Sequence, residues 1–422
     1  MILEKYSFGI GDRFCHQGKA QLSALMKAKE QGLNITPVWN KSHREHTIIG
    51  TKQADTRKEA DDAVTACEWD GPYFVDADHI GLGNVDKFIE SSDFFTLDVA
   101  DFIGQTANKA DVDSFVQKHR KYIGSLAIDG INETLNITEE RIRAIADKCL
   151  LAVKQAGKIY RHIAAAKGED NFITEVSMDE TDQPQTPVEM LFILAAIADE
   201  EIPAQTIAPK FTGRFNKGVD YVGDAAAFAK EFEEDLAVVA FAVREFGLPK
   251  NLKLSIHSGS DKFSIYEPIA KALRKFNAGL HIKTAGTTWL EELIGLAMAG
   301  GDGLLIAKEV YAKSLSRINE LCAPYATVID INRAKLPTSQ EVDKWDGQSF
   351  ASALRHDQSC EQYNPNFRQL LHIAYKIAAQ MGTRFTDALV KYEDTIAPNV
   401  TENIYERHIK PIFTEDLQAS YQ

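Results

Sequence analysis

Eleven histidines occur in the chain, and three of them, His79, His257 and His281, fall within or at the ends of short apolar runs. Neutral imidazole is a common protein ligand for Zn, Mn, Co, Ni and Fe ions. Three such ligands would leave coordination positions open for substrate oxygens. Their separations contain no local motif such as His-x-x-x-His, so a shared centre needs a fold that gathers distant strand ends. The plain alternative for each is a hydrogen-bonded structural histidine. Carboxylates accompany them. Asp76 and Asp78 precede His79 in Tyr73-Phe74-Val75-Asp76-Ala77-Asp78-His79-Ile80, and Glu175 lies in Ile173-Thr174-Glu175-Val176-Ser177-Met178-Asp179. Beside a divalent metal and a carbonyl substrate, one carboxylate can act as general base and a second as acid. Metal ligation is the rival role for Glu175, and capping of the next helix is the rival role for a strand-end Asp78. Asp12, Asp98 and Asp179 repeat the pattern in weaker form.

Basic residues cluster later. Lys210, Arg214, Lys262 and Lys283 follow or end apolar runs, and with Ser258, Ser260, Thr284, Thr287 and Thr288 they could hold an anionic, hydroxyl-rich ligand. Otherwise they are solvated loop charges. His43 and His46 sit on a loop, His372 lies in an apolar helical run and reads as core, and Arg355-His356-Asp357 with Tyr363 to Arg368 reads as a polar inter-helix connection able to cover a site.

The elements that must position these residues alternate. Strand candidates begin near Phe8, Ile35, Tyr73, Phe94, Ile173, Ala204, Leu252 and Leu280, with helical periodicity between most of them. Thr186-Pro187-Val188-Glu189 is a helix start: a capping Thr, Pro at the first helical position and Glu three residues on. Along Leu252-Lys253-Leu254-Ser255-Ile256-His257 the polar residues share one parity and the apolar residues the other, and Leu280-His281-Ile282-Lys283 repeats this. Period two means opposite faces, so the polar set should point into a barrel and the apolar set onto outer helices. The expected fold is therefore α/β, a (β/α)8 TIM-type barrel over residues 1–300, with a helical insertion near 101–168 and a mostly helical C-terminal extension over 301–422. Ala326 to Ile331 is a ninth strand candidate, and an open doubly wound sheet is the competing architecture.

The net charge of -14 argues against a nucleic-acid partner, which requires a basic face. No apolar run reaches the roughly 18 residues needed to span a bilayer, and the N-terminus lacks a signal-peptide core. Five dispersed cysteines without a Cys-x-x-Cys pair suggest reduced thiols and a cytoplasmic location. A homo-oligomer is compatible with the sequence. Gly9-x-Gly11 and Gly81-x-Gly83 lack the third glycine of a dinucleotide fingerprint, and there is no Walker A loop.

Taken together, Phe8-Gly9-Ile10-Gly11-Asp12-Arg13-Phe14, Val75 to Ile80, His257-Ser258-Gly259-Ser260-Asp261-Lys262 and His281 to Glu292 resemble the tagaturonate/fructuronate epimerase family. The resemblance runs across most of the chain. It implies a divalent-metal isomerase that interconverts D-tagaturonate and D-fructuronate, hexuronate ketoses that differ at C4. It also implies Asp78 as proton acceptor beside the metal ligand His79, Glu175 as proton donor, and His257 and His281 as the remaining metal ligands. A class II-type aldolase or ketose isomerase acting on a phosphorylated sugar would use the same groups, and a non-catalytic sugar-binding barrel is a third reading.

Overall fold

The computed structural model describes residues 1–284 and 286–414. Eight parallel strands close a barrel in chain order: β1 Tyr6–Ile10, β2 Thr36–Ser42, β3 Phe74–Ile80, β4 Phe94–Asp98, β5 Ile173–Ser177, β6 Thr206–Ala208, β7 Lys253–His257 and β8 Leu280–Lys283. β8 returns to pair with β1, so no edge is left unpaired. The expected parity holds. Phe8, Trp39, Val75, Phe95, Leu254 and Ile282 pack outward into the main core with the helices. The inward parity carries Ser7, Asp76, Thr96, Glu175, Ser255 and His281, all buried. Leu3, Val38, Phe74, Phe94 and Ile173 form a separate apolar cluster that plugs the end where the strands begin. Chemistry is therefore confined to the end where the strands finish.

Local sequence explains most element boundaries. The Thr186 side chain accepts from the Glu189 amide while the Glu189 side chain accepts from the Thr186 amide, which starts the helix Pro187–Asp199 as expected. β1 begins and ends earlier than the Phe8–Phe14 run. Its continuation is bent by the Asp12 side chain, which accepts amide hydrogens from Phe14, His16 and Gln17 ahead of the helix Gly18–Glu30. β6 is cut short because Pro209 has no amide to continue the ladder.

Two expectations are corrected. The segment between β4 and β5 is not wholly helical: a two-stranded antiparallel ribbon, Gly124–Leu126 with Leu135–Ile137, precedes the long helix Glu139–Lys167. Ala326 to Ile331 forms no strand. Its backbone is taken by other partners: the Val328 carbonyl accepts from the Lys217 amide, and the Gln369 side chain bridges both backbone groups of Asp330. From 301 to 414 the only regular elements among the described residues are helices, and Gly347–Leu354 and Glu393–Ile404 wrap the last barrel helix, Thr287–Ala299. No helix among the described residues is long and apolar enough to cross a membrane.

Candidate active site

Asp78 and His79 are sequence neighbours, and in a regular strand they would point to opposite faces. The register with β4 slips between Ala77 and Ile80, and His79 adopts φ 53°, a left-handed conformation rare for a residue with a side chain. This bulge turns both residues into the barrel mouth. Such strain costs of order 1–3 kcal/mol and persists where the surroundings enforce it. Across the mouth His257 ends β7, and the ring centroids of His79 and His257 are 5.1 Å apart.

A third group completes the set. Asp179, two residues past β5, places Oδ2 3.0 Å from His257 Nδ1. One ligand atom each from His79, Asp179 and His257 all lie within 4.8 Å of one another. His257 Nδ1 and His79 Nδ1 are buried without a hydrogen-bond partner. His79 Nδ1 faces Asp98 at 3.4 Å, and buried ring nitrogens without a well-formed hydrogen bond, next to carboxylates, are a donor set that an ion could use. On the far side of its ring, His257 Nε2 lies 2.8 Å from Glu175 Oε1. A carboxylate behind a ligating imidazole fixes the ring and raises its basicity. Ser177 donates to Asp179 over 2.6 Å and holds it in turn.

Below this layer Lys283 is buried among carboxylates. Its Nζ lies 2.7 Å from Asp76, 3.0 Å from Asp78 and 3.0 Å from Glu175, and it donates to Thr96 over 2.5 Å. Lys283 faces Asp76, Asp78 and Glu175, while Asp98 and Asp179 face His79 and His257, so with the imidazoles neutral the carboxylates outnumber the cations, an excess that a divalent ion would balance. The same excess shows in the imidazoles. Burial lowers the pKa of His79, but Asp78, Asp98 and Asp179 outweigh it and hold the ring well above the ordinary histidine value. His257 is treated the same way: burial lowers it, Asp179 and Glu175 raise it, and it reaches about 9. Asp78 is pushed up by burial, yet Lys283, His79 and His257 bring it down to about 2, so it is ionised at neutral pH. Burial drives Asp76 up to about 7 against Lys283. The residues present fit a divalent ion held by His79, Asp179 and His257.

The other expected residues separate. His281 lies one layer deeper, two residues before Lys283. Its Nδ1 is 2.8 Å from Ser7 Oγ, and burial lowers its pKa to about 3. The structure thus brings Asp179, and not His281, to the two histidines at the mouth. Asp179, which the sequence offered only as a weaker candidate, lies two residues past the end of β5. Lys262 is wholly buried and donates to Ser260 and Asp261, turned away from the mouth. Arg214 is exposed and faces Asp330 at 3.4 Å. Lys210 is held through its amide by Gln185. None of these three lines the mouth cavity, a space of about 380 Å³, whereas Lys283 does.

Cations that do line it are Arg13, Arg44 and Lys217, which sequence reasoning left unassigned. The C-terminal extension supplies Tyr325, His372 and Tyr375 to the same cavity, so His372 is a wall residue as well as a buried one. Gly286 permits the approach: a Cβ there would stand 2.2 Å from the His372 ring and 2.3 Å from the Gly259 carbonyl.

Comparison with known proteins gives one consistent picture. A family described as tagaturonate epimerase matches residues 1–412. The tagaturonate/fructuronate epimerase of Thermotoga maritima is 27% identical over 419 residues, covering 96% of this chain and 80% of that protein. The crystal structure of fructuronate-tagaturonate epimerase UxaE from Cohnella laeviribosi complexed with one glycerol superposes with a TM-score of 0.81 at 22% identity, covering 98% of this chain and 82% of that one. The native structure of the same protein gives 0.78 at 22% identity over the same shares.

Proposed function

This chain belongs to the tagaturonate epimerase family, and from that membership and the geometry of its mouth we propose that it interconverts D-tagaturonate and D-fructuronate in a metal-dependent reaction. The observation that carries the reading is the convergence of His79, Asp179 and His257 within 4.8 Å beside an ionised Asp78.

C4 of a 2-ketose is not next to the carbonyl, so its hydrogen is not directly acidic. A bound divalent ion would supply Lewis-acid polarisation of the C2 carbonyl oxygen. The chain's own part begins with Asp78, whose carboxylate accepts the proton of the C4 hydroxyl. As that O–H bond breaks, C4 becomes an aldehyde and the C3–C4 electron pair passes to the ketose fragment. Rotation of the aldehyde and re-addition on its other face invert C4, and Asp78 returns the proton. Lys283 holds Asp78 ionised at the start through its 3.0 Å contact. The apolar plug below and the tyrosines of the extension above limit water around the cleaved state.

The test is product analysis by NMR, with tagaturonate in D2O. Fructuronate should form without deuterium at C4, and formation should stop on chelation and resume on adding a divalent ion. Obligatory deuterium at C4 would exclude bond cleavage as the route. Turnover that survives complete metal removal would remove the ion from the mechanism.

Glu175 has its own expected result. In this geometry it orients His257 and stands away from the cavity wall, although family resemblance implies a proton donor. Glu175→Gln should weaken metal affinity by about 10–100-fold, read by titrating the apoprotein with Zn or Mn. Unchanged affinity with lost turnover would favour the donor role.

A further inference from the structure

The cavity is electrically two-sided. Its floor carries the carboxylates and imidazoles described above, and its wall carries Arg13, Arg44 and Lys217. The floor suits the oxygen-chelating end of a ketose, while the wall sets these three cations against two carboxylates, Glu45 and Glu180. Arg13 is 8% exposed. Its Nε stands 3.2 Å from Glu45, yet Nε and Nη1 are buried without a hydrogen-bonded partner. Among the described residues no carboxylate lies within ion-pair distance of Arg44 or Lys217. Arg13 is therefore paired with Glu45 through Nε alone, while Arg44 and Lys217 have no such partner among the described residues, and semi-enclosed cations of this kind favour an anionic ligand.

The extension holds these cations in place. The Arg13 guanidinium lies 4.2 Å from the centre of the Tyr375 ring, and the Arg44 guanidinium 5.3 Å from that of Tyr325. The two tyrosine hydroxyls are 3.0 Å apart, which ties the two stacks together. The Lys217 amide donates to the Val328 carbonyl of the same extension. Planar guanidinium groups stacked on aromatic rings keep their edges free for two-pronged carboxylate binding.

We propose that Arg13, Arg44 and Lys217 form the subsite for the carboxylate of the substrate, and that the C-terminal extension, by fixing them, makes the enzyme selective for uronates over uncharged ketoses. This rests on the epimerase reading for the identity of the substrate and places the carboxylate away from the loop residues Lys210, Arg214 and Lys262.

The experiment compares D-fructuronate with D-fructose, which has the same carbon frame and a CH2OH in place of the carboxylate. Metal-loaded wild type, Arg44→Gln, Lys217→Gln and Arg13→Lys are assayed for kcat/KM by NMR and for Kd by calorimetry. Each variant should lose about 10- to 100-fold more on the uronate than on the ketose, in kcat/KM and in Kd alike. Arg44→Lys should recover part of the loss. Equal losses on both ligands, or no change in the ratio, would overturn the subsite. If the wild type binds the uronate through these cations but epimerises neither sugar, the subsite stands and the epimerase reading falls. Calorimetry therefore decides the proposal whether or not turnover is found.

Discussion

His257→Ala should lower tagaturonate turnover by at least about 10³-fold and leave the purified protein with little bound metal. The reason is the position of the ring between two carboxylates. Its Nδ1 faces Asp179 at 3.0 Å and its Nε2 faces Glu175 at 2.8 Å. Without it the ion loses a ligand, Glu175 loses its partner, and the polarisation that a metal contributes, several kcal/mol, goes with them. His79→Ala should match it, because groups that act as one unit are not additive, and the double variant should be little worse than either single one. Elemental analysis beside an NMR assay measures both quantities. A variant that keeps its metal and wild-type turnover would show that the imidazoles at the mouth do not form one centre.

Arg368→Met should lower the melting temperature by about 5 °C, the largest stability effect expected of a single substitution outside the mouth. Arg368 is fully buried in the extension and donates to the carbonyls of Gly218 and Leu354 and, over 2.8 Å, to Asp261 from the loop after β7. Asp261 is buried too, with His356 at 3.0 Å and His408 at 3.1 Å. Removing one partner of a buried pair leaves a charge uncompensated and costs about 3–5 kcal/mol. At ~2.1 cal/mol/K of unfolding entropy per residue, that is a few degrees for a chain of this length. Burial raises the Asp261 pKa, but Arg368, His356 and His408 hold it well below the ordinary carboxylate value. Its contribution is therefore present above its unfolded value, near 3.9, and is lost as pH falls through the folded one. The gap between wild type and variant should be widest at neutral pH and narrow on acidification. Identical melting curves at pH 7 would mean that this node does not hold the extension to the barrel.

The barrel was legible because period two survives in the letters. Lys253, Ser255 and His257 alternate with Leu254 and Ile256, and the structure puts the first set inside and the second against the helices. His257 at the end of its strand followed that pattern, and His79 was singled out by its place at the end of an apolar run. What could not be read was set by backbone that has no period. A one-residue register slip at His79 brings two neighbours to the same side, and no composition announces it. Arg13, Arg44 and Lys217 all lie outside regular strands, where side-chain direction depends on turn or helix geometry. The cations that looked suited to an anion were chosen by proximity to strands, and the chain folds three of them elsewhere. Tyr325 and Tyr375 lie far from the barrel in sequence, and only tertiary packing brings them over its mouth.

The wrapping of helix Thr287–Ala299 has a consequence for biosynthesis. Every residue from Thr287 to Ala297 is buried, in good part beneath segments translated afterwards. The Tyr6 ring also packs 5.0 Å from Phe413, near the opposite terminus. A ribosome-bound chain that has already made all eight strands still exposes an apolar helix and an unfinished seam. Such a nascent chain should depend on holding chaperones until the covering helices Gly347–Leu354 and Glu393–Ile404 and Phe413 emerge, and arrest shortly before then should leave a sticky, protease-sensitive species.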